Sequence, residues 1–566
     1  MKHFAPISGV TCLADKYVAT AGYDNQVIIW DAAKKRAIQR VFHDHLANQC
    51  AFSPDGRLLA SASSDYTARV WEVPRMRLCA VLTGHQDDVE MVAFSTRGDR
   101  IATCSRDHTI RVYDVNGKLL GDLRGHSADV ISVSWSPDDE MLISSSDDGT
   151  VRRWHAQTGR ELAKTSLGGV ETDTIAIVSN DMVLAGDDEG RIAVLTAGEP
   201  KLVPAHAAGI KRLVFERSTR RLVSLSYDRS FCLWSVDGTS LINEQRGRLP
   251  DIVWPRSCAF LGAERLAFAT FGSTYATYDL AKGDWDLDEI EPSISLNAVL
   301  EMNGDIFAVG DSGHVYRNDR MLTGLGTLCN FLVEVGGEVL TGGQMGRVLN
   351  ARTGEVIFQH RSPLNCSASF LCDGVPHAAV GSYTGEAIIL RSESNGKFTH
   401  LITVPMHSNA IKGLASDGTV LYSVSANRSA ALHRIADFVR IAQWEAAHTQ
   451  IANGCTSLGA GVFASISRDR KLRLWQSGSC SIIDTPHTNS IKCIATDGRW
   501  IATGSYGGMI AVFDVHNRRW TYIERPTAAG ISCLTYSKTG RAFLASSYDG
   551  RIYRVPIQES VQDAAY

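Results

Sequence analysis

The sequence predicts an all-β chain folded as two seven-bladed β-propellers in tandem. Three observations carry this. A segment of one pattern, clearest as the Ser-Ser-Asp-Tyr-Thr-Ala-Arg-Val-Trp that ends at Trp71, recurs fourteen times at spacings of 33 to 44 residues. Each copy alternates as strands do: Ala68 and Val70 face one side, Thr67 and Arg69 the other. Turn groups such as Pro54-Asp55-Gly56 separate the apolar stretches. A repeat of about forty residues with three clear strands and room for a fourth has the length of a propeller blade.

The copies end at Trp30, Trp71, Tyr113, Trp154, Leu195, Trp234 and Tyr278, then at Asn318, Ala351, Leu390, His433, Trp475, Phe513 and Val555. A single ring holds about four to eight blades, so fourteen copies divide most simply into two rings of seven. After Tyr278 an acidic stretch, Lys-Gly-Asp-Trp-Asp-Leu-Asp-Glu-Ile-Glu-Pro, breaks the pattern. The expected domains are therefore residues 1–288 and a more degenerate ring at 289–566. Few residues precede the first inner strand, so the tail Pro556–Tyr566 is expected to complete the last blade.

Composition narrows the function classes. The chain has 566 residues, 44% hydrophobic and 21% charged, as an ordinary globular protein does. Its net charge of −4 argues against wholesale binding to nucleic acid or anionic membrane. It contains no apolar run of about 18 residues and opens without a signal peptide, so a cytoplasmic protein with no membrane attachment is expected. The 13 cysteines include no Cys-x-x-Cys pair. Seven of them (Cys12, Cys50, Cys258, Cys366, Cys455, Cys493 and Cys533) share one slot on the inner strand and read as small buried hydrophobes. Phosphate-loop, His-Glu-x-x-His, Gly-x-Ser-x-Gly and calcium-loop motifs are all missing, so no cofactor and no metal site is expected.

Several residues resemble the WD-repeat family: Gly84-His85, Gly125-His126, the Ser-Pro-Asp-Gly of Ser53–Gly56, the Ser-Pro-Asp of Ser136–Asp138 and Trp30-Asp31. Weaker counterparts are Trp71-Glu72, Tyr113-Asp114 and Phe513-Asp514. The resemblance covers nearly the whole chain. It implies a non-enzymatic scaffold, or an adaptor or sensor subunit of a multi-protein complex, beside an NTPase or effector subunit of the same assembly. A double ring is also similar in plan to actin-binding double propellers.

Five blades carry His, Ser, Asp and an aromatic residue at fixed offsets: His43, Ser63, Asp65, Trp71; His85, Ser105, Asp107, Tyr113; His126, Ser146, Asp148, Trp154; His206, Ser226, Asp228, Trp234; and His448, Ser467, Asp469, Trp475. Ser, His and Asp together invite comparison with a nucleophilic triad. An enzyme needs one such set, however, and five equivalent sets read as structural hydrogen-bonded tetrads, the role the resemblance also implies. No catalytic residue is assigned.

Partners are then expected on the ring faces. The slot before each Asp position gives Tyr23, Arg106 and Tyr227 in the first ring and Tyr383, Arg468, Tyr506 and Tyr548 in the second. The slot after the first apolar residue of the inner strand gives Glu90, Lys211, Lys412 and Lys492. The first ring thus presents a mixed-charge face. The second presents a basic and aromatic one, suited to an acidic or phosphorylated peptide, or alternatively to single-stranded nucleic acid.

Overall fold

A computed structural model describes residues 1–557. They form thirteen four-stranded antiparallel sheets and one three-stranded sheet, with no helix. In every sheet the strands follow chain order from the inside of the ring outward. Blades 1 to 7 cover residues 7–42, 47–82, 89–124, 130–166, 172–204, 210–248 and 253–286. Blades 8 to 14 cover residues 296–324, 329–359, 364–405, 411–444, 452–484, 491–524 and 531–556. The protein is thus two seven-bladed propellers. The chain separates into two compact units, Met1–Ser293 and Ile294–Tyr566. Glu291 and Ser293 stay with the first unit, bonded through their backbones to Ser273 and Phe271.

Alternation explains the core. In blades 1 and 4, for example, the second and third strands are almost wholly buried, while the fourth is largely exposed. Apolar side chains fill the gaps between neighbouring blades: Ala102, Ile110 and Val112 of blade 3 meet Val133, Leu142 and Trp154 of blade 4. Such burial, at about 25 cal/mol per Å² of apolar surface, is what a blade gains only from its neighbours.

Each ring closes on itself. In the first unit Ile7, Val18 and Trp30 of blade 1 pack on Leu261, Ala267 and Tyr275 of blade 7. The Val10 amide donates to Ser257 Oγ at 3.0 Å, and the His3 amide to the Ser273 carbonyl at 2.9 Å. In the second unit Cys533 of blade 14 packs with Ala298, Phe307 and Val309 of blade 8, and Ser295 Oγ donates to the Tyr548 carbonyl at 3.0 Å. Blade 14 shows three strands, the third ending at Pro556. The fourth strand expected from the tail lies outside the described residues.

One irregularity positions everything that follows. In all fourteen blades the pairing of the first strand with the second slips near the start of the first strand. In thirteen of them a single residue is skipped: Ser8, Asn48, Glu90, Ile131, Asp173 and Lys211, then Asn297, Asn330, Asn365, Lys412, Asn453, Lys492 and Ser532. Blade 7 skips the four residues 254–257 instead. A bulge frees one residue from the ladder and re-aims its side chain.

Candidate functional site

The polar sets fall inside the blades. In blade 4, Trp154 Nε1 donates to Ser144 Oγ at 2.9 Å, His126 Nε2 meets the same hydroxyl at 2.8 Å, and His126 Nδ1 meets Asp148 Oδ2 at 2.9 Å. Blade 2 repeats the chain as Trp71, Ser61, His43 and Asp65. In blade 6 Trp234, Ser224 and His206 connect in the same way, with Ser230 between His206 Nδ1 and Asp228. In blade 3 His85 joins Thr103 to Asp107, while the Tyr113 hydroxyl donates to the Thr83 carbonyl.

These bonds correct the expected hydroxyls. The serines read from the sequence, Ser63, Ser105, Ser146, Ser226 and Ser467, do not meet the imidazole. Each donates to a backbone carbonyl and accepts the amide of the following Asp. The bonded hydroxyl lies two residues earlier, at Ser61, Thr103, Ser144, Ser224 and Ser465. All five are 0% exposed, so no substrate reaches them as nucleophiles.

Blade 12 departs further. Trp475 and His448 share Ser465, but Asp469 binds Arg473 at 2.7 Å and His448 Nδ1 has no hydrogen-bond partner among the described residues. A further complete set was missed: His3 joins Asp24 and Thr20, and Thr20 accepts from Trp30. Its 21-residue His-to-Asp interval equals that of His448 to Asp469, which was signal enough to find it.

Burial works against each carboxylate, yet the bonds from its histidine and neighbours outweigh it and hold Asp65, Asp107, Asp148 and Asp228 well below the usual range. Burial also lowers His43 and His126, with the facing Asp partly offsetting it; His206 ends above its ordinary value. In the second unit burial takes His407 down to about 4, His433 and His487 to about 4, and His448 to about 3.

In the first unit three of the bulged residues, Glu90, Asp173 and Lys211, enter ion-pair networks. Arg106 binds Glu90 and, at 3.0 Å, Asp129; Arg256 lies 3.4 Å from Glu90. Lys211 binds Asp173 and, at 2.6 Å, Asp188, and lies 4.8 Å from the Tyr227 ring centre. Tyr23 meets Trp254 edge-on at 5.3 Å. Acid predominates around these cations: burial, then Asp188 and Asp173, push Glu171 up to about 7, and burial with Asp129 raises Asp147 well above its ordinary value.

In the second unit the skipped residues of all seven blades line one cavity of about 280 Å³. Four asparagines tie successive inner strands. Asn297 Nδ2 donates to Cys329 O at 3.0 Å, Asn330 to Leu364 O at 2.7 Å, Asn365 to Ile411 O at 2.9 Å and Asn453 to Ile491 O at 2.7 Å. Lys412 lies 4.9 Å from the Tyr383 ring centre and Lys492 lies 5.8 Å from that of Tyr506, which stacks on Tyr548 at 6.4 Å. Lys412, Lys492 and Tyr548 line the cavity; Tyr383, Tyr506 and Arg468 stand outside its lining. Sequence reasoning picked out the lysines and missed the asparagines, although Leu-Asn, Cys-Asn, Leu-Asn and Ala-Asn occupy the same slot.

The family model for the WD domain, G-beta repeat, matches residues 3–31, 37–72, 76–114, 117–155 and 478–514. Three relatives resemble parts of the chain. The transcriptional corepressor LEUNIG_HOMOLOG of Arabidopsis thaliana is 27% identical over 38% of this chain and 28% of its own length. The Target of rapamycin complex subunit wat1 of Schizosaccharomyces pombe is 26% identical over 40% of this chain and 77% of its own length. Coatomer subunit beta' of Drosophila melanogaster is 30% identical over 38% of this chain and 23% of its own length. The chain therefore spans less than a third of the corepressor and of the coatomer subunit.

Proposed function

We propose, since this chain belongs to the WD-repeat family, that it is a non-enzymatic scaffold that holds partner proteins at the mouths of its two rings. The observation that carries the reading is the pair of collars. Bulges in thirteen of the fourteen inner strands each free one side chain, a set of mixed charge in the first ring (Glu90, Asp173 and Lys211) and basic in the second (Lys412 and Lys492). Collars of unlike charge suit unlike partners. The names of the relatives support the class: one is a complex subunit, one a coatomer subunit and one a corepressor. The polar residues that resemble catalytic sets are consumed inside the blades.

The test is affinity purification from the native cell after nuclease treatment, with wild type beside Tyr506→Ala/Tyr548→Ala. The reading expects a stoichiometric protein partner that the double variant loses. Recovery of no protein partner with either form would overturn it.

A further inference from the structure

The mouth of the second ring has a layered lining. Uppermost is the collar of Asn297, Asn330, Asn365, Lys412, Asn453, Lys492 and Ser532. Two residues further along the same strands, Val299, Leu332, Ser367, Leu414, Cys455, Ile494 and Leu534 line the same cavity, a throat that is apolar apart from Ser367. Leu332, Cys455 and Ile494 are incompletely buried despite their place on inner strands.

The volume limits the occupant. About 280 Å³ falls just below the usual range for pockets that enclose a drug-sized molecule. It holds one or two side chains of a larger ligand. The chemistry limits it further. The Asn330, Asn365 and Asn453 amide nitrogens are bonded to the next blade, so their oxygens are left to accept N–H donors, as a peptide backbone supplies. Lys412 and Lys492 stand on blades 11 and 13 with Asn453 between them, so positive charge is confined to one arc of the collar. Ammonium groups act as compact point charges and suit single carboxylates; the collar contains no Arg for bidentate capture of phosphate.

We propose that this mouth takes a peptide segment carrying an Asp or Glu beside a large apolar residue, the carboxylate on Lys412 and Lys492 and the apolar side chain in the throat. The proposal rests on the scaffold reading and names the chemistry of one of its partners.

The test is selection of a displayed random heptapeptide library on the purified full chain, followed by fluorescence anisotropy of the selected peptides. Enrichment of Asp or Glu next to Leu, Ile, Met or Phe is expected. Lys412→Glu/Lys492→Glu should weaken those peptides about tenfold or more, whereas Lys412→Arg/Lys492→Arg retains them. Ser367→Phe, which narrows the throat, should weaken them without reversing charge, and a thermal melt of each variant checks that the fold persists. Selection of neutral or basic peptides, or undiminished binding after charge reversal, overturns the proposal. So does a single-stranded oligonucleotide that binds and competes through the same lysines. Should native partners be recovered and survive the charge reversal, this proposal falls while the scaffold reading stands.

Discussion

His126 shows what one buried polar residue requires. Its ring nitrogens meet Ser144 and Asp148, and Asp148 also accepts from Thr150, Arg152 and the Ser127 amide. Asp148→Ala therefore leaves several donors unpaired in the blade, and an unpaired buried donor costs about 1–3 kcal/mol. We expect a loss of a few kcal/mol, read as a lower midpoint in denaturant; an unchanged midpoint would contradict the account. Histidine, carboxylate and aromatic partner were legible as a set. The hydroxyl was not, because Ser144 and Ser146 lie two apart on one strand and share a face. Only the reach of the imidazole decides between them.

At the scale of the element, the inner strand does the positioning. Its bulge presents the collar residue, and its glycines let neighbouring blades approach. A methyl group added at Gly413 would lie 2.7 Å from the Cys455 amide nitrogen and 2.9 Å from Gly454 Cα, both backbone atoms of the next blade. Gly413→Ala must then part blades 11 and 12, at a cost of about 1–3 kcal/mol. Hydrogen exchange should show faster opening of those two blades, and unaltered exchange would refute the close approach. The strands themselves were legible from alternation and turn residues. The bulge was legible only as a recurrent slot holding Glu90, Lys211, Lys412 and Lys492, since a slip in register leaves no mark in composition.

At the scale of the whole molecule, two differences separate the units. The first unit makes its closing contacts between its own blades 1 and 7, so residues 1–293 expressed alone should unfold in one cooperative transition. A non-cooperative melt would contradict that independence. The second difference is acid sensitivity. His407, His433, His448 and His487 have folded values near 3 to 4, below an unfolded value near 6.5. The unfolded chain then binds protons first, so stability is complete above about pH 6.5 and falls toward pH 4, by about 2 kcal/mol per histidine at pH 5. In the first unit burial also lowers His43 and His126, but the facing Asp opposes it and His206 is raised, while the facing carboxylates are held below the ordinary value of about 3.8 and lose their contribution only beneath it. Proteolysis at pH 5 should therefore cut the second unit first, and preferential cutting of the first would refute the assignment. Fourteen repeats were legible because every blade reuses one pattern. The degenerate second ring was legible through its spacing more than through its polar sets.

The most direct measurement is photo-crosslinking in the native cell from a benzoylphenylalanine placed at position 548, beside a control at 523. Tyr548 lines the mouth of the second ring and the probe keeps an aromatic ring there, whereas Ile523 is 51% exposed on an outermost strand. The account predicts a discrete adduct with a second protein from position 548 and none from 523. Adducts confined to nucleic acid or to the chain itself, or the same adducts from both positions, would contradict it.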